Sequence, residues 1–335
     1  MKVNDKIHTK RGASGYEPLN IKPATSEPED FDKFWKNAVE QISSQPLDVK
    51  MEVMEKYSND KQNTYKISFA NINSARIYGF LSIPTGKGPF PAIVTIPGAG
   101  MGRNQPSWAT NWGKIGVIGL LMNVHSYNPY VSTEILKEKY KESNKPTMYY
   151  LQGAPDRDKY FFKNSIIGIN RAIDYVAALP EFNKKQFVIY GSSQGGGHSL
   201  ILAGLNKNIT AAIANVPALC DNGGYLEDRV PGWPKMLVPH KNDPAWVKMS
   251  GYFDAVNFAK RITVPTVVGV GFIDSTCPPS SVYAAYNVIK APKKIINDPT
   301  MGHSFSAKFT KFVNHWDKSQ LGLAKPIPPF LDEKN

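Results

Sequence analysis

Five residues in mid-chain, Gly191-Ser192-Ser193-Gln194-Gly195, restrict the fold more than any other stretch. Before them stands Phe187-Val188-Ile189-Tyr190, a β-branched and aromatic run that predicts a buried strand. After them come Gly196-Gly197 and then His198-Ser199-Leu200-Ile201-Leu202-Ala203, which predicts a helix. A strand, a tight turn flanked by glycines and a helix together form the context in which G-x-S-x-G presents a nucleophile. The turn is too sharp for larger neighbours, which accounts for Gly191 and Gly195. It lifts the Ser193 hydroxyl above the sheet at a helix N-terminus, where developing negative charge is favoured.

The rest of the chain reads as strands alternating with helices. Strands are expected over 64–70, 76–83, 91–96, 115–124, 211–216, 266–272 and 294–297. Asp30 opens a helix with Phe31, Phe34, Trp35, Ala38, Val39 and Ile42 on one face. Further helices are expected over 161–179, 282–289 and 307–315. The run PAIVTI over 91–96 is apolar throughout, as a strand covered on both faces would be. This alternation implies an α/β fold, with a mostly parallel central sheet and helices on both faces. Catalytic groups then belong at the carboxyl ends of the strands. Residues 1–28 are expected to form a loose arm, 29–325 the domain and 326–335 a tail. The segment 221–249, rich in Gly, Pro, Trp and Lys without a period, reads as an insertion that forms a lid or substrate wall.

Composition narrows the function. The chain has 335 residues, of which 41% are hydrophobic, enough for one large α/β domain. The net charge is +12, but the lysines are scattered and make no nucleic-acid patch, so no nucleic-acid partner is expected. No apolar run is long enough to span a membrane, and Met1 to Gly15 lacks the apolar core of a secretory signal, so a soluble chain is expected. A trimmed mature form would read the same, which leaves the compartment open. Cys220 and Cys277 stand far apart and suggest neither a disulfide framework nor a metal site. No cofactor is called for.

A serine hydroxyl needs a base, and in this topology the order is nucleophile, acid, histidine. Downstream of Ser193 lie His198, His240, His303 and His315. Only His303 follows a strand in a loop before a helix. The acid should end the strand before that, where Asp274 stands, followed by Ser275-Thr276-Cys277-Pro278-Pro279. A carboxylate there would hold the imidazole in one tautomer. Asp298 competes, but it shares a loop with His303 and is awkwardly close. Helix capping is the alternative work for Asp274, though Ser275 or Ser280 could supply that cap. An oxyanion hole needs two N–H donors, expected from Gln194 and from Ala99 in the loop Pro97-Gly98-Ala99-Gly100.

The motif order resembles the acetyl xylan esterase and cephalosporin C deacetylase family, carbohydrate esterase family 7 of the α/β-hydrolase fold. The likeness runs from about Phe31 to Phe312 through DFDKFW, RIYGFLSIP, PAIVTIPGAG, YGSSQGGG, SGYFDAVNFAKRI and VGFIDSTCPPSSVYAAYN. It implies Ser193 as nucleophile, Asp274 as acid and His303 as base. It further implies a serine esterase that removes acetyl or another small acyl group from carbohydrates, needs no metal and often assembles as a closed hexamer. The chain departs from the family in three places. Ala99 stands where the family has tyrosine, His125-Ser126-Tyr127 where it has Arg-Gly-Gln, and Ser304 where it has glutamate after the histidine. Trp108, His125, Tyr127, Tyr225 and Trp233 are candidate substrate contacts, and the aromatic rings could equally be packing. An esterase for larger acyl groups or a peptidase is the rival activity. A carbohydrate-binding relic without turnover is the rival class.

Overall fold

The computed structural model describes residues 11–101 and 105–327, together with the backbone of the two short strands Lys2–Val3 and Lys6–Ile7. Nine strands build the main sheet: β1 Lys50–Val53, β2 Gln62–Ala70, β3 Arg76–Pro84, β4 Phe90–Ile96, β5 Ile118–Met122, β6 Phe182–Ser192, β7 Ala211–Asn215, β8 Thr266–Gly271 and β9 Lys293–Asp298. Their spatial order is β9-β8-β7-β6-β4-β5-β3-β2-β1. The pairs from β5 through β4, β6, β7 and β8 to β9 are parallel, while β1, β2, β3 and β5 pair antiparallel. The mostly parallel sheet expected from the alternating pattern is therefore present.

The strand order reverses at β4, which lies between β5 and β6. The chain leaves β4 in one direction and returns on its other side, so the loops after β4 and β6 diverge and open a crevice. Alternation along the strands sends side chains to two cores. Ile93, Val188, Ile213 and Val267 join α9 (Ala307–Gln320) through Phe309, Val313 and Trp316 on one face. Val94, Ile189, Ala214 and Val268 face the larger core, which is filled by α1 (Phe31–Ser43), α4 (Phe161–Ala178), α5 (Gln194–Leu205), α7 (Ala255–Ala259) and α8 (Pro279–Val288). The continuous apolar runs follow from this, because both faces of the central strands are covered.

Several elements were not readable as such. The strand expected over 115–124 shortens to β5, because Ile115 belongs to the turn closing α2 (Ser107–Gly113) and Asn123 opens the next loop. Helices α3 (Thr133–Glu142) and α6 (Pro244–Tyr252) were unforeseen. Helix α6 lies largely within the 221–249 segment and is capped by the Asp243 carboxylate, which accepts from Ala245 N–H and Trp246 N–H.

Within the arm expected over 1–28, residues 11–28 have little regular structure but are tied down. Asn287 Nδ2 donates to the carbonyls of Pro18 and Ile21, at 2.9 Å each, and Ala24 N–H donates to Asp221 Oδ1 at 2.9 Å. Glu27 pairs with Arg261 at 3.0 Å and Lys260 at 3.3 Å. These bonds come from side chains more than 190 residues away in sequence, which local reading cannot see. Of the tail expected over 326–335, residues 328–335 lie outside the described residues.

Candidate active site

Strand β6 ends at Ser192, Ser193 turns the chain with φ 58° and ψ −121°, and α5 starts at Gln194. A residue with a side chain adopts such angles only when its surroundings force it to. Here the surroundings are backbone. A Cβ on Gly191 would come within 2.1 Å of Gly195 O, and one on Gly195 within 2.0 Å of Ile96 O. The two glycines are steric requirements, as the motif implies, because strand, helix and the neighbouring β4 loop meet without room for a methyl group. Ser193 N–H donates to Asn215 O at 2.9 Å, and Ser193 O accepts from Ala218 N–H at 2.9 Å, which pins the turn to the chain leaving β7.

The three predicted side chains converge. His303 Nδ1 lies 2.7 Å from Asp274 Oδ2, and His303 Nε2 lies 2.8 Å from Ser193 Oγ. A carboxylate only accepts, so Nδ1 carries the proton and Nε2 is left to accept from the serine hydroxyl. The Asp274 side chain is fully buried and its second oxygen, Oδ1, accepts from the N–H groups of Thr276 at 2.8 Å and Cys277 at 2.9 Å. The carboxylate thus caps its own loop with one oxygen and holds the imidazole with the other. Asp298 is otherwise engaged: its Oδ1 accepts from the N–H and hydroxyl of Thr300. Among the described residues, Asp274, His303 and Cys277 are grouped closely enough for a metal ion. Two of them already bond each other, and burial pushes the Cys277 thiol well up, away from the thiolate a metal prefers.

The triad opens into a cleft of about 960 Å³. Gly98, Ala99, Val216, Trp233 and Thr276 line it, together with Trp108, Asn111, Trp112, Tyr190, Ser304 and Phe305. The loop after β4 runs directly beside the nucleophile, since a Cβ on Gly98 would lie 3.7 Å from Ser193 Cβ. Gln194 N–H is the first of α5 and so has no partner within the helix. Trp233 is fixed through its backbone, with Trp233 N–H donating to Thr276 O at 2.7 Å and Trp233 O accepting from Leu219 N–H at 3.0 Å.

Of the five candidate substrate contacts, Trp108 and Trp233 line the cleft and the other three do not. His125 is buried behind the loop after β4, where Nε2–H donates to Gly100 O at 2.8 Å. Burial pushes this imidazole down to about 4, so it is neutral, and its buried Nδ1 has no partner among the described residues. The His125 ring stacks on Tyr127 at 4.8 Å, and the Tyr127 hydroxyl donates to Met101 O at 3.0 Å. Both residues therefore seat the loop and stand outside the cleft lining. The reason is the short reach from the end of β5 to the adjacent β4 loop. Tyr225 packs against the larger core with the Lys241 ammonium 5.2 Å above its ring.

Two positioning groups were missed. Tyr149 donates its hydroxyl to Gln194 Oε1 at 2.7 Å, holding the side chain that follows the nucleophile. Asn215, fully buried, donates through Nδ2 to Ser192 Oγ and to Ser304 O, both at 3.0 Å, and so ties the elbow to the histidine loop. A polar residue ending the apolar strand Ala211–Asn215 at its carboxyl end was the signal available for it.

A curated acetyl esterase, Axe7A of Xylanibacter ruminicola, is 35% identical over 314 residues, covering 92% of this chain and 70% of that protein. The fold is shared with the acetyl xylan esterase from Paenibacillus sp. R4, with a TM-score of 0.78, 24% identity and coverage of 90% of this chain and 98% of the other. It is shared also with acetyl xylan esterase 1 from Thermoanaerobacterium sp. JW/SL YS485, with a TM-score of 0.79, 24% identity and coverage of 93% and 99%. Because the family model for acetyl xylan esterase (AXE1) matches residues 17–319, nearly the whole chain, the protein belongs to the acetyl xylan esterase family of α/β-hydrolase-fold ester hydrolases.

Proposed function

We propose that the protein is a serine carboxylesterase that removes acetyl groups from acetylated carbohydrates through an acetyl-enzyme. The observation that carries this reading is the unbroken hydrogen-bonded chain from Asp274 through His303 to Ser193 on a cleft floor. His303 Nε2 takes the Ser193 proton as Oγ attacks the ester carbonyl. Ala99 N–H and Gln194 N–H hold the oxyanion, and Asp274 stabilises the imidazolium. The tetrahedral intermediate collapses, His303 returns the proton to the departing sugar oxygen, and acetyl stays on Ser193. Water, deprotonated by His303, then cleaves that ester and releases acetate.

The test is acetate release from acetylated xylo-oligosaccharides by the wild type and Ser193→Ala. The variant is expected to lose at least about 10,000-fold in kcat. Undiminished turnover would refute the mechanism. One observation favours a second reading, an esterase for larger acyl groups: Ala99 stands on the cleft wall where the family carries tyrosine, leaving space beside the nucleophile. Relative rates on acetate and butyrate esters of one alcohol separate the two. The bonded triad speaks against a binding relic, and it offers nothing that would favour an amide over an ester.

A further inference from the structure

The cleft extends beyond what an acetyl group needs, and the direction of that extension is informative. Thr95 and Tyr190 share a strand face with Ile93 and Val188, the face covered by α9. The extra space therefore runs over the side of the sheet opposite α5. One of its walls is α2, where Trp108, Asn111 and Trp112 stand at i, i+3 and i+4 and so occupy one helix face. The other is the loop just past the catalytic imidazole, with Ser304 and Phe305. Phe305 is 52% exposed and Trp108 38% exposed, large apolar surfaces left bare within a functional cleft.

Chemistry assigns this lobe to one half of the substrate. The imidazole that protonates the leaving oxygen must lie on the alcohol's side of the scissile bond. Residues flanking His303 in sequence and space therefore border the alcohol, not the acyl group. We propose that Trp108 and Phe305, with Asn111 and Ser304 beside them, form the subsite for the sugar ring that carries the acetyl group, and so determine which alcohols the enzyme releases. This rests on the sugar-ester reading above. Aromatic planes would cover the apolar C–H face of a pyranose, while the Asn111 amide and Ser304 hydroxyl would meet its hydroxyl groups.

The test compares Trp108→Ala and Phe305→Ala with the wild type on two acetates: acetylated xylobiose, and ethyl acetate, whose alcohol has no ring. Each variant is expected to lose about three- to tenfold in kcat/KM on the sugar ester, mostly through KM, and to change less than twofold on ethyl acetate. Both side chains are partly exposed, so folding should survive, which circular dichroism checks. Equal losses on both esters, or none on the sugar ester, would overturn the proposal. So would a variant that changes the acetate-to-butyrate preference at fixed alcohol, because the lobe would then hold the acyl chain. A wild-type enzyme that hydrolyses ethyl acetate but not the sugar ester would instead overturn the carbohydrate reading, and the sugar assignment with it.

Discussion

Replacing Asp274 by asparagine isolates what the carboxylate does, because the structure dictates how the amide would sit. Oδ1 accepts two backbone N–H bonds, at 2.8 and 2.9 Å, while Oδ2 accepts one from His303 at 2.7 Å. An amide has one oxygen. Turned toward His303, it would set its NH2 against the N–H groups of Thr276 and Cys277, leaving two buried donors opposed. Each buried unsatisfied group costs about 1–3 kcal/mol. Turned toward the loop, it keeps both backbone bonds and faces His303 with NH2. That orientation is favoured by a few kcal/mol, and it makes Nδ1 the acceptor. Nε2 then carries the proton and cannot take one from Ser193. The same exchange in a Ser-His-Asp triad lowers kcat by about 10,000-fold, which is about 5.5 kcal/mol of barrier. Asp274→Asn is expected to show a loss of that order in initial-rate assays on ethyl acetate, with an unchanged far-ultraviolet circular dichroism spectrum. A folded variant losing less than about tenfold would refute the tautomer argument.

Two further outcomes follow from the same geometry. Ser193→Gly and Ser193→Ala both remove the hydroxyl and its bond to His303, but only glycine relaxes at φ 58° and ψ −121°. The glycine variant should be more stable by about 1–3 kcal/mol in urea unfolding, and equal stabilities would mean the turn is unstrained. Acid stability provides a second measurement. Burial pushes the His198 imidazole down to about 4, where Nδ1–H donates to Gln194 O and Nε2 faces Ser165 Oγ. A depressed base binds fewer protons folded than unfolded, so its stabilising effect is full above about pH 6.5 and fades as pH falls toward 4. Asp254 and Asp317, raised to about 7 and about 6, run the other way, binding protons in the fold and favouring acid. The His198 contribution therefore shows as a difference: the stability of wild type minus His198→Asn should drop by up to about 3 kcal/mol between pH 7 and pH 4. A constant difference would show that the buried imidazole does not resist protonation.

Much of this protein is determined by local chemistry. Glycines spaced around Ser193, apolar runs of strand length and periodic helices prescribe the elbow, the order of nucleophile, acid and base, and a mostly parallel sheet. Such signals survive in one dimension because they concern neighbours: a turn that excludes Cβ, or a strand covered on both faces. What the tertiary structure alone decided is which residues meet across the sheet. His125 and Tyr127 look like aromatic sugar contacts in sequence, yet they brace Gly100 and Met101, because β5 pairs beside β4. Asn215 bonds a loop 89 residues further along the chain, the arm over 11–28 is held by side chains from the other end of the chain, and Phe305 comes to share a cleft with Trp108. Such bonds between a side chain and a distant backbone or ring carry no period or spacing, so only the packed chain reveals them.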